Sequence, residues 1–260
     1  MTPTLQLTSV HLRVADLARS VNFYAGALGF IVATRDAAHA ELTTVDGAPP
    51  LLTLTEDRAA SGPSRDAAGL FHAALLFPSR AKLGSWLKHA VSRGLELDGF
   101  SDHGVSEAIY FTDPDGNGLE FYVDRPRTAW PVDANGGLAM VTKPLALQSL
   151  LAEAAPTGDT PLAGARWGHL HLRVTDLDRS EKFYGDTLGM ALTQGSYPGA
   201  RFLAADGYHH HLGLNTWGHP RSPQAPGALG LAEATFARTG LAVAQTVRDP
   251  DGISLHLVAR

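Results

Sequence analysis

The sequence contains no cysteine among its 260 residues. This absence excludes a disulfide framework, a thiolate metal site and a cysteine nucleophile. No stretch approaches the roughly 18 consecutive apolar residues of a membrane span, and residues 1–20 lack the basic region and apolar run of a signal peptide. An excess of positive charge is also missing, because the formal net charge is −5. We therefore expect a cytoplasmic protein that binds neither nucleic acid nor membrane.

Two features of the composition indicate a folded protein with a functional site. Hydrophobic residues make up 44% of the chain, which is enough for a full core and argues against disorder. Histidine occurs twelve times. Because imidazole is the commonest metal ligand and a physiological acid or base, the histidines are the first candidates for a functional site.

The chain repeats part of itself. Residues 11–30 read HLRVADLARSVNFYAGALGF and residues 171–190 read HLRVTDLDRSEKFYGDTLGM, with twelve of the twenty positions identical. Each copy predicts a strand that runs into a helix, because an alternating segment is followed by an N-capping aspartate, Asp16 or Asp176. A glycine ends each predicted helix. The second half of the chain is thus a copy of the first.

A second type of unit follows each copy. In the first half it comprises a strand, a helix and two strands joined by an Asp-Pro-Asp-Gly turn, predicted at Phe71–Phe77, Ser79–Arg93, Ala108–Thr112 and Gly118–Val123. The turn recurs at residues 249–252, between predicted strands at Leu229–Ala237 and Ile253–Val258. Arg238-Thr-Gly240 replaces the helix there, so the fourth unit is trimmed.

These units predict an α+β fold of four βαβββ modules in two domains. Modules 1 and 2 form an N-terminal domain at residues 1–124, and module 3 and the trimmed module 4 form a C-terminal domain at residues 168–260. Residues 125–167 are rich in Pro, Gly and Ala and are predicted to be a linker.

The odd modules share the pattern H-L-x-V-x-D-L-x-R-S-x-x-F-Y-x-x-x-L-G, and the even modules share D-P-D-G-(x)3-E/H. Together these patterns resemble the vicinal oxygen chelate superfamily, which includes glyoxalases, extradiol catechol dioxygenases and drug-resistance proteins. The resemblance covers nearly the whole chain and extends furthest to the CatE-type catechol 2,3-dioxygenases. It implies that two modules pair into an eight-stranded cup that holds one divalent metal.

The resemblance also implies where the metal ligands lie, on the first and last strands of a module. The matching residues are His169, His72 and Glu120. Two histidines and one carboxylate leave coordination positions open and suit non-haem Fe(II), or alternatively Mn(II), in oxygen chemistry. This set requires module 2 to pair with module 3, since pairing of modules 1 and 2 would leave His72 and Glu120 without a third ligand.

Three further residues match the stretches of extradiol dioxygenases that carry catalytic groups. The segment Ser101–Tyr110 supplies His103 and Tyr110, which the resemblance implies would orient the ring oxygens. The segment Tyr208–Leu214 supplies His210 as the acid/base, and strand alternation would place His210 on the face shared by Leu212 and Leu214. The implied partners are a catechol and O2, and a homodimer is compatible with the fold.

Two other functions remain open on the sequence. Glu233 aligns with His72 and His256 aligns with Glu120, so these residues could form a set with His169 and His210 in the C-terminal half. That set would favour a glyoxalase-type isomerase or lyase using Zn or Ni. A non-catalytic binder of small molecules, as in resistance proteins, is the other alternative, although the clustered histidines argue against it. Fold alone decides none of these.

Overall fold

The structure is a computed structural model that describes residues 4–62, 66–134, 136–155, 160–219 and 222–260. In the described residues the strands are β1 (Leu5–Val14), β2 (Ile31–Arg35), β3 (His39–Thr43), β4 (Leu52–Glu56), β5 (Gly69–Leu76), β6 (Gly99–Asp102), β7 (Ser106–Thr112), β8 (Gly118–Asp124), β9 (Lys143–Pro144), β10 (Arg166–Arg173), β11 (Ala191–Gln194), β12 (Ala200–Ala204), β13 (Leu212–Asn215), β14 (Gly230–Arg238), β15 (Gln245–Arg248) and β16 (Ser254–Ala259). The helices are α1 (Leu17–Val21), α2 (Arg80–Ser92), α3 (Leu147–Ala152) and α4 (Leu177–Leu188).

The strands form two curled sheets. One sheet has the order β15-β16-β14-β1-β4-β3-β2, and the other has the order β11-β12-β13-β10-β5-β8-β7-β6-β9. Module 1 therefore pairs with module 4 through antiparallel β1 and β14, and module 2 pairs with module 3 through antiparallel β5 and β10. The mixed α+β fold of repeated modules is confirmed, and the second sheet shows the pairing of modules 2 and 3 that the ligand set requires.

Each sheet thus takes strands from both halves of the sequence. The division into residues 1–124, a linker at 125–167 and residues 168–260 stays a prediction. Within the predicted linker, α3 packs against α2 and β9 adds to the edge of the second sheet beside β6. Residues 135 and 156–159 of the linker lie outside the described residues.

Side-chain bonds at the Asp-Pro-Asp-Gly turns hold consecutive modules together. Tyr24 follows α1 and donates its hydroxyl to Asp113 Oδ2 at 2.9 Å, and Tyr184 of α4 donates to Asp249 Oδ2 at the same distance. Both bonds are buried, and burial raises the pKa of both carboxyl groups. The tyrosine of each Phe-Tyr motif therefore contacts the first aspartate of an Asp-Pro-Asp-Gly turn, and this contact occurs once in each half of the chain.

Several predicted elements are adjusted by the structure. The strands β2, β6, β9, β11 and β15 were not expected, and the segment from Asn22 to Leu28 after α1 is a π-helical turn rather than α-helix. The trimmed fourth module has a turn in place of a helix, as predicted. No helix in the described part of the chain has the length and apolarity to cross a membrane.

Candidate metal centre

The candidate site is built on neighbouring strands of the second sheet. Ala74 of β5 lies opposite His169 of β10 on one side and opposite Glu120 of β8 on the other. His72 is two residues before Ala74 and therefore points to the same face of the sheet. The small side chain of Ala74 leaves space between the three larger ones. Strand register thus brings together the three residues that the sequence analysis named as ligands.

The three side chains converge on one point. Nε2 of His72 lies 2.9 Å from Glu120 Oε2, and Nε2 of His169 lies 3.1 Å from the same oxygen. Each residue offers one possible ligand atom, and the three atoms lie within 4.8 Å of one another. The relative exposures of His72, Glu120 and His169 are only 7%, 3% and 1%. Among the described residues this is the one such group of His, Cys, Asp or Glu.

The protonation states favour metal binding. Burial lowers the pKa of His169 to about 4, although the nearby Glu120 carboxylate opposes the shift. Burial alone would raise the pKa of Glu120, but its interactions with His169 and His72 outweigh burial and hold that pKa well below the ordinary value. A neutral imidazole and an ionised carboxylate are the forms that bind a divalent metal.

The contact between His72 and Glu120 provides a test of fit for a metal. Their atoms are 2.9 Å apart, yet they are not aligned for a hydrogen bond. Two ligand atoms about 3 Å apart are expected when each is bound to one ion at about 2.1 Å and at right angles. The buried donor set of two nitrogens and one carboxylate therefore fits a divalent metal of the non-haem iron type.

His103 and Tyr110 lie beside this group. Tyr110 of β7 is the cross-strand neighbour of Glu120, so it continues the row formed by His169, Ala74 and Glu120. His103 Nδ1 lies 2.8 Å from the Val141 carbonyl and can only donate to it, which makes Nε2 an acceptor. The Tyr110 hydroxyl therefore donates to His103 Nε2 at 2.7 Å. Burial first, and then the charge of Glu120, raises the pKa of Tyr110 well above its ordinary value.

The structure corrects the reason given for His210. The strand predicted over Tyr208–Leu214 begins only at Leu212, so Tyr208–His211 precede β13 and strand alternation does not apply to them. His210 nevertheless lines the same cavity as His72 and Glu120, with its ring centroid 4.1 Å from that of His169. Burial, followed by the charges of neighbouring histidines, holds the pKa of His210 well below its ordinary value.

The neighbouring histidines point elsewhere. His209 is fully buried and places Nε2 2.8 Å from Asp124 Oδ1. His211 accepts a hydrogen bond from the Ala205 amide and lines a separate cavity. Of the three consecutive histidines, His210 is the one that lines the cavity beside the candidate metal group.

A cavity of about 290 Å³ opens onto the site. Its polar walls come from the groups already described and from Ser101 and Thr142, and its remaining walls are apolar or aromatic. The described side chains that line it are Phe71, His72, Ser101, His103, Tyr110, Glu120, Met140, Val141, Thr142, His171, Tyr197, Phe202, His210 and Trp217. All three predicted catalytic residues therefore line one cavity with two of the candidate ligands, His72 and Glu120. The third, His169, does not line it, but its ring lies 4.1 Å from that of His210.

The competing ligand set is not assembled. Glu233 lies on β14 and His256 on β16, in the sheet formed by modules 1 and 4, whereas His169 belongs to the other sheet. Glu233 lies opposite His11 and accepts a hydrogen bond from Ser254 at 3.2 Å, and Nδ1 of His256 lies 3.0 Å from Thr246 Oγ1. The alternative of a metal site confined to the C-terminal half is therefore not supported, because its residues are on different sheets.

Sequence reasoning missed two parts of the site. Asp124 falls on the same face of β8 as Glu120, since the two are four residues apart, and this alternation could have revealed it. The aromatic wall formed by Phe71, Phe202 and Trp217 comes from three separate strands and loops, and no local motif marks it. His171, two residues from His169, is a further candidate ligand on the sequence; it is buried with its ring 4.9 Å from that of His72, but it is not one of the three convergent residues.

Comparisons with known proteins agree with this architecture. The profile of the Glyoxalase/Bleomycin resistance protein/Dioxygenase superfamily matches residues 6–121 and 166–257. The chain is 41% identical over 233 residues to the catechol-2,3-dioxygenase of Bacillus subtilis (strain 168). The aligned region covers 85% of this chain and 81% of the Bacillus protein.

Solved structures support the fold. Glyoxalase I from Zea mays superposes with a TM-score of 0.58 at 18% identity, covering 98% of this chain and 92% of the maize chain. The cppA protein from Streptococcus pneumoniae TIGR4 also gives a TM-score of 0.58, at 11% identity and with 98% and 99% coverage. From the two profile matches, which span most of the chain, and the identity to the Bacillus enzyme, it follows that this protein belongs to the glyoxalase/bleomycin resistance/dioxygenase superfamily.

Proposed function

We propose that this protein is a metal-dependent extradiol ring-cleaving dioxygenase that acts on a catechol-type aromatic with O2. The observation that carries the proposal is the buried group of His72, Glu120 and His169, which adjoins a cavity lined by His103, Tyr110 and His210. The 41% identity to a catechol-2,3-dioxygenase supports the same reaction.

His72, Glu120 and His169 would hold Fe(II), with Mn(II) as the alternative. Such an ion supplies open coordination positions and redox chemistry with dioxygen when it is bound. Burial of all three side chains excludes bulk water from the ion, and two imidazoles with one carboxylate are common ligands of this chemistry.

His210 would act as the general base for the catechol. A catechol must lose protons before both of its oxygens can serve as ligands, and a neutral imidazole within hydrogen-bond reach can accept one of them. Because its pKa is held well below the ordinary value, His210 is neutral at neutral pH. The proton that it accepts can later return to the cleaved product.

Tyr110 and His103 would orient the second ring oxygen. The Val141 carbonyl fixes the proton of His103 on Nδ1, and Tyr110 donates its own proton to His103 Nε2. The lone pairs of the Tyr110 oxygen are then available to accept a hydrogen bond from a substrate hydroxyl. This pair therefore distinguishes a hydroxyl-bearing ring from one without a hydroxyl.

The cavity walls indicate what the ring carries. None of the described lining residues is Lys or Arg, and the outer wall consists of aromatic and apolar side chains such as Phe71, Met140 and Trp217. A carboxylate substituent would lose its hydration there without gaining an ion pair. We expect catechol and alkylcatechols to be better substrates than dihydroxybenzoates.

The test is a cleavage assay with oxygen uptake. The protein is loaded with Fe(II) without oxygen, mixed with catechol, 4-methylcatechol or 3,4-dihydroxybenzoate, and then exposed to O2. We expect a yellow ring-opened semialdehyde and stoichiometric oxygen uptake, with the benzoate processed slowest, and neither signal from metal-free protein. Metal-loaded protein that consumes no oxygen with any catechol would refute the proposal.

A further inference from the structure

A chain of hydrogen bonds leads from β8 to the proposed base. Asp124 Oδ1 lies 2.8 Å from His209 Nε2, and His209 Nδ1 lies 2.8 Å from His210 Nδ1. His210 lines the cavity, while His209 is fully buried behind it. Asp124 and His209 have no role in the proposed reaction as described so far, although both are connected to its base.

The order of donors and acceptors in this chain has one solution for neutral imidazoles. An ionised carboxylate only accepts, so His209 must carry its proton on Nε2 and donate it to Asp124. His209 Nδ1 is then an acceptor, and His210 must donate to it from its own Nδ1. The remaining nitrogen of His210, Nε2, is left with a lone pair.

We propose that Asp124 and His209 are positioning residues that hold His210 in the tautomer whose Nε2 can accept a proton from the substrate. The inference rests on the proposed function, because it takes His210 as the base of that reaction. A histidine that is free to choose its tautomer would present a lone pair at Nε2 only part of the time. The chain also fixes the plane of the imidazole ring.

The surroundings of Asp124 keep it available as an acceptor. The Tyr208 hydroxyl donates to the same Oδ1 at 3.0 Å and itself lies 2.8 Å from the Tyr122 hydroxyl. Glu120, Tyr122 and Asp124 alternate along β8 and share one face of the sheet. The strand that provides the carboxylate of the metal group therefore also anchors the base, which fixes the distance between the two.

Substitutions of His209 separate this role from a purely structural one. An asparagine amide lies about where Nδ1 lies in histidine, and a glutamine amide lies about where Nε2 lies. His209→Asn keeps an acceptor for His210, whereas His209→Gln keeps only the link to Asp124 and His209→Phe keeps neither. We expect kcat to fall roughly 10- to 100-fold in the Gln and Phe variants, to fall less in the Asn variant, and KM to change little in all three.

The tautomer can also be observed directly. Nitrogen-15 NMR of metal-free, histidine-labelled protein, assigned by comparison with His210→Gln, should show His210 protonated at Nδ1 in the wild type and lose this state in His209→Gln. A proton on Nε2 of His210, or a Gln variant as active as or more active than the Asn variant, would overturn the proposal. Failure of the proposed function would appear differently, as wild-type protein that cleaves no catechol, and the NMR result would still decide the tautomer.

Discussion

The role of Glu120 is set by its neighbours. Its neighbours on the strand, Leu119 and Phe121, are apolar, and a buried carboxylate without partners would cost several kcal/mol. Two imidazoles within 3.1 Å of one carboxylate oxygen provide those partners. The same three side chains can bind a cation with no rearrangement of strands, because each is held by its position in the sheet.

Removing any one of these ligands should release the metal. We expect His72→Ala, Glu120→Gln and His169→Ala each to weaken Fe(II) binding by more than the roughly 10- to 100-fold that loss of an outer partner costs. Metal content after dialysis, measured by elemental analysis, reports the effect. His256→Ala and Glu233→Gln change the same residue types on the other sheet and should keep the metal. If the His72→Ala variant kept its metal while the His256→Ala variant lost it, the metal would bind elsewhere than at His72, Glu120 and His169.

The Tyr110 hydroxyl should matter for the reaction rather than for metal binding. Tyr110→Phe removes the group that accepts from the substrate and donates to His103, so we expect kcat to fall about 10- to 100-fold. Metal content should be unchanged. Tyr197→Phe is the matched control, because that tyrosine lines the same cavity but its hydroxyl contacts Thr142 in a half-exposed position. Equal effects of the two substitutions on kcat would contradict the assigned role.

The family resemblance implied the candidate ligands, because His72, Glu120 and His169 match ligand positions on the first or last strand of a module. It did not explain why His210 faces the cavity. The segment before β13 is not a strand, so strand alternation does not account for the position of His210. The polar chain from Asp124 to His210 depends on contacts between β8 and a loop 85 residues away in sequence. No local pattern encodes such a contact.

At the scale of elements, the site depends on how closely β5 and β8 approach. Gly118 of β8 is paired with His72 of β5, and a Cβ at Gly118 would lie 2.2 Å from the Phe71 carbonyl oxygen and 3.2 Å from His72 Cβ. The glycine therefore allows the strands to pair beside the metal group.

Adding one methyl group at this position should disturb the site. We expect Gly118→Ala to separate His72 from Glu120 and to weaken metal binding about 10-fold or more, as for a displaced ligand. Calorimetric titration with Fe(II) under nitrogen measures the change. Gly99→Ala, on β6, meets no atom within 4 Å and is the control. Equal Fe(II) affinities in the two variants would show that the close approach of β5 and β8 is not needed for metal binding.

The tyrosine–aspartate bonds at the turns should contribute stability without affecting the site. Tyr24→Phe leaves Asp113 buried with one partner fewer, so we expect the free energy of unfolding to fall by about 1–3 kcal/mol. Tyr184→Phe should give a similar loss, since Asp249 has the equivalent environment. Urea denaturation of both variants measures this, and metal content serves as the control. A change below about 0.3 kcal/mol in both would mean that the bonds do not stabilise the fold.

The capping residues Ser79 and Asp176 made the two long helices predictable. The patterns of apolar residues made the central strands predictable. The unexpected strands β2, β11 and β15 are short and mostly exposed. Such strands lack the alternation of buried and exposed residues on which recognition depends. The π-helical turn after α1 was also unpredictable, because the matching segment of module 3 is regular α-helix despite twelve identities in twenty positions.

For the whole molecule, the buried histidines predict a dependence of stability on pH. Burial lowers the pKa of His169 and of His211 to about 4 from an ordinary value of 6.5, and it holds the pKa values of His171 and His210 well below that ordinary value. Below pH 6.5 the unfolded chain therefore binds protons that the folded protein excludes. The free energy of unfolding must then decrease as pH falls from about 6.5 towards about 4.

Each such histidine contributes up to about 1.4 kcal/mol per pH unit in this interval. We expect urea denaturation of the metal-free protein to show a steep loss of stability between about pH 6.5 and pH 4.5. His211→Asn keeps an acceptor for the Ala205 amide. It should reduce the change in the free energy of unfolding with pH by the contribution of one histidine. A flat profile across this interval would contradict the burial of neutral imidazoles.

The pairing of the modules across the two halves could be inferred from chemistry but not from hydrophobic pattern. All four modules carry similar strands, so local sequence permits several pairings. Only the distribution of His72, Glu120 and His169 over modules 2 and 3 distinguished them. In the structure the sheets pair modules 2 with 3 and 1 with 4, while the tyrosine–aspartate bonds connect modules 1 to 2 and 3 to 4.

The most direct test of the account follows both oxygen atoms. Fe(II)-loaded protein is given catechol under ¹⁸O2, and the product is analysed by mass spectrometry. Extradiol cleavage predicts a semialdehyde acid into which both atoms of one O2 molecule enter, one at each end of the broken bond, with any label at the aldehyde read before it exchanges with water. A product without ¹⁸O, or a dicarboxylic acid from cleavage between the two hydroxyl-bearing carbons, would contradict the proposed reaction.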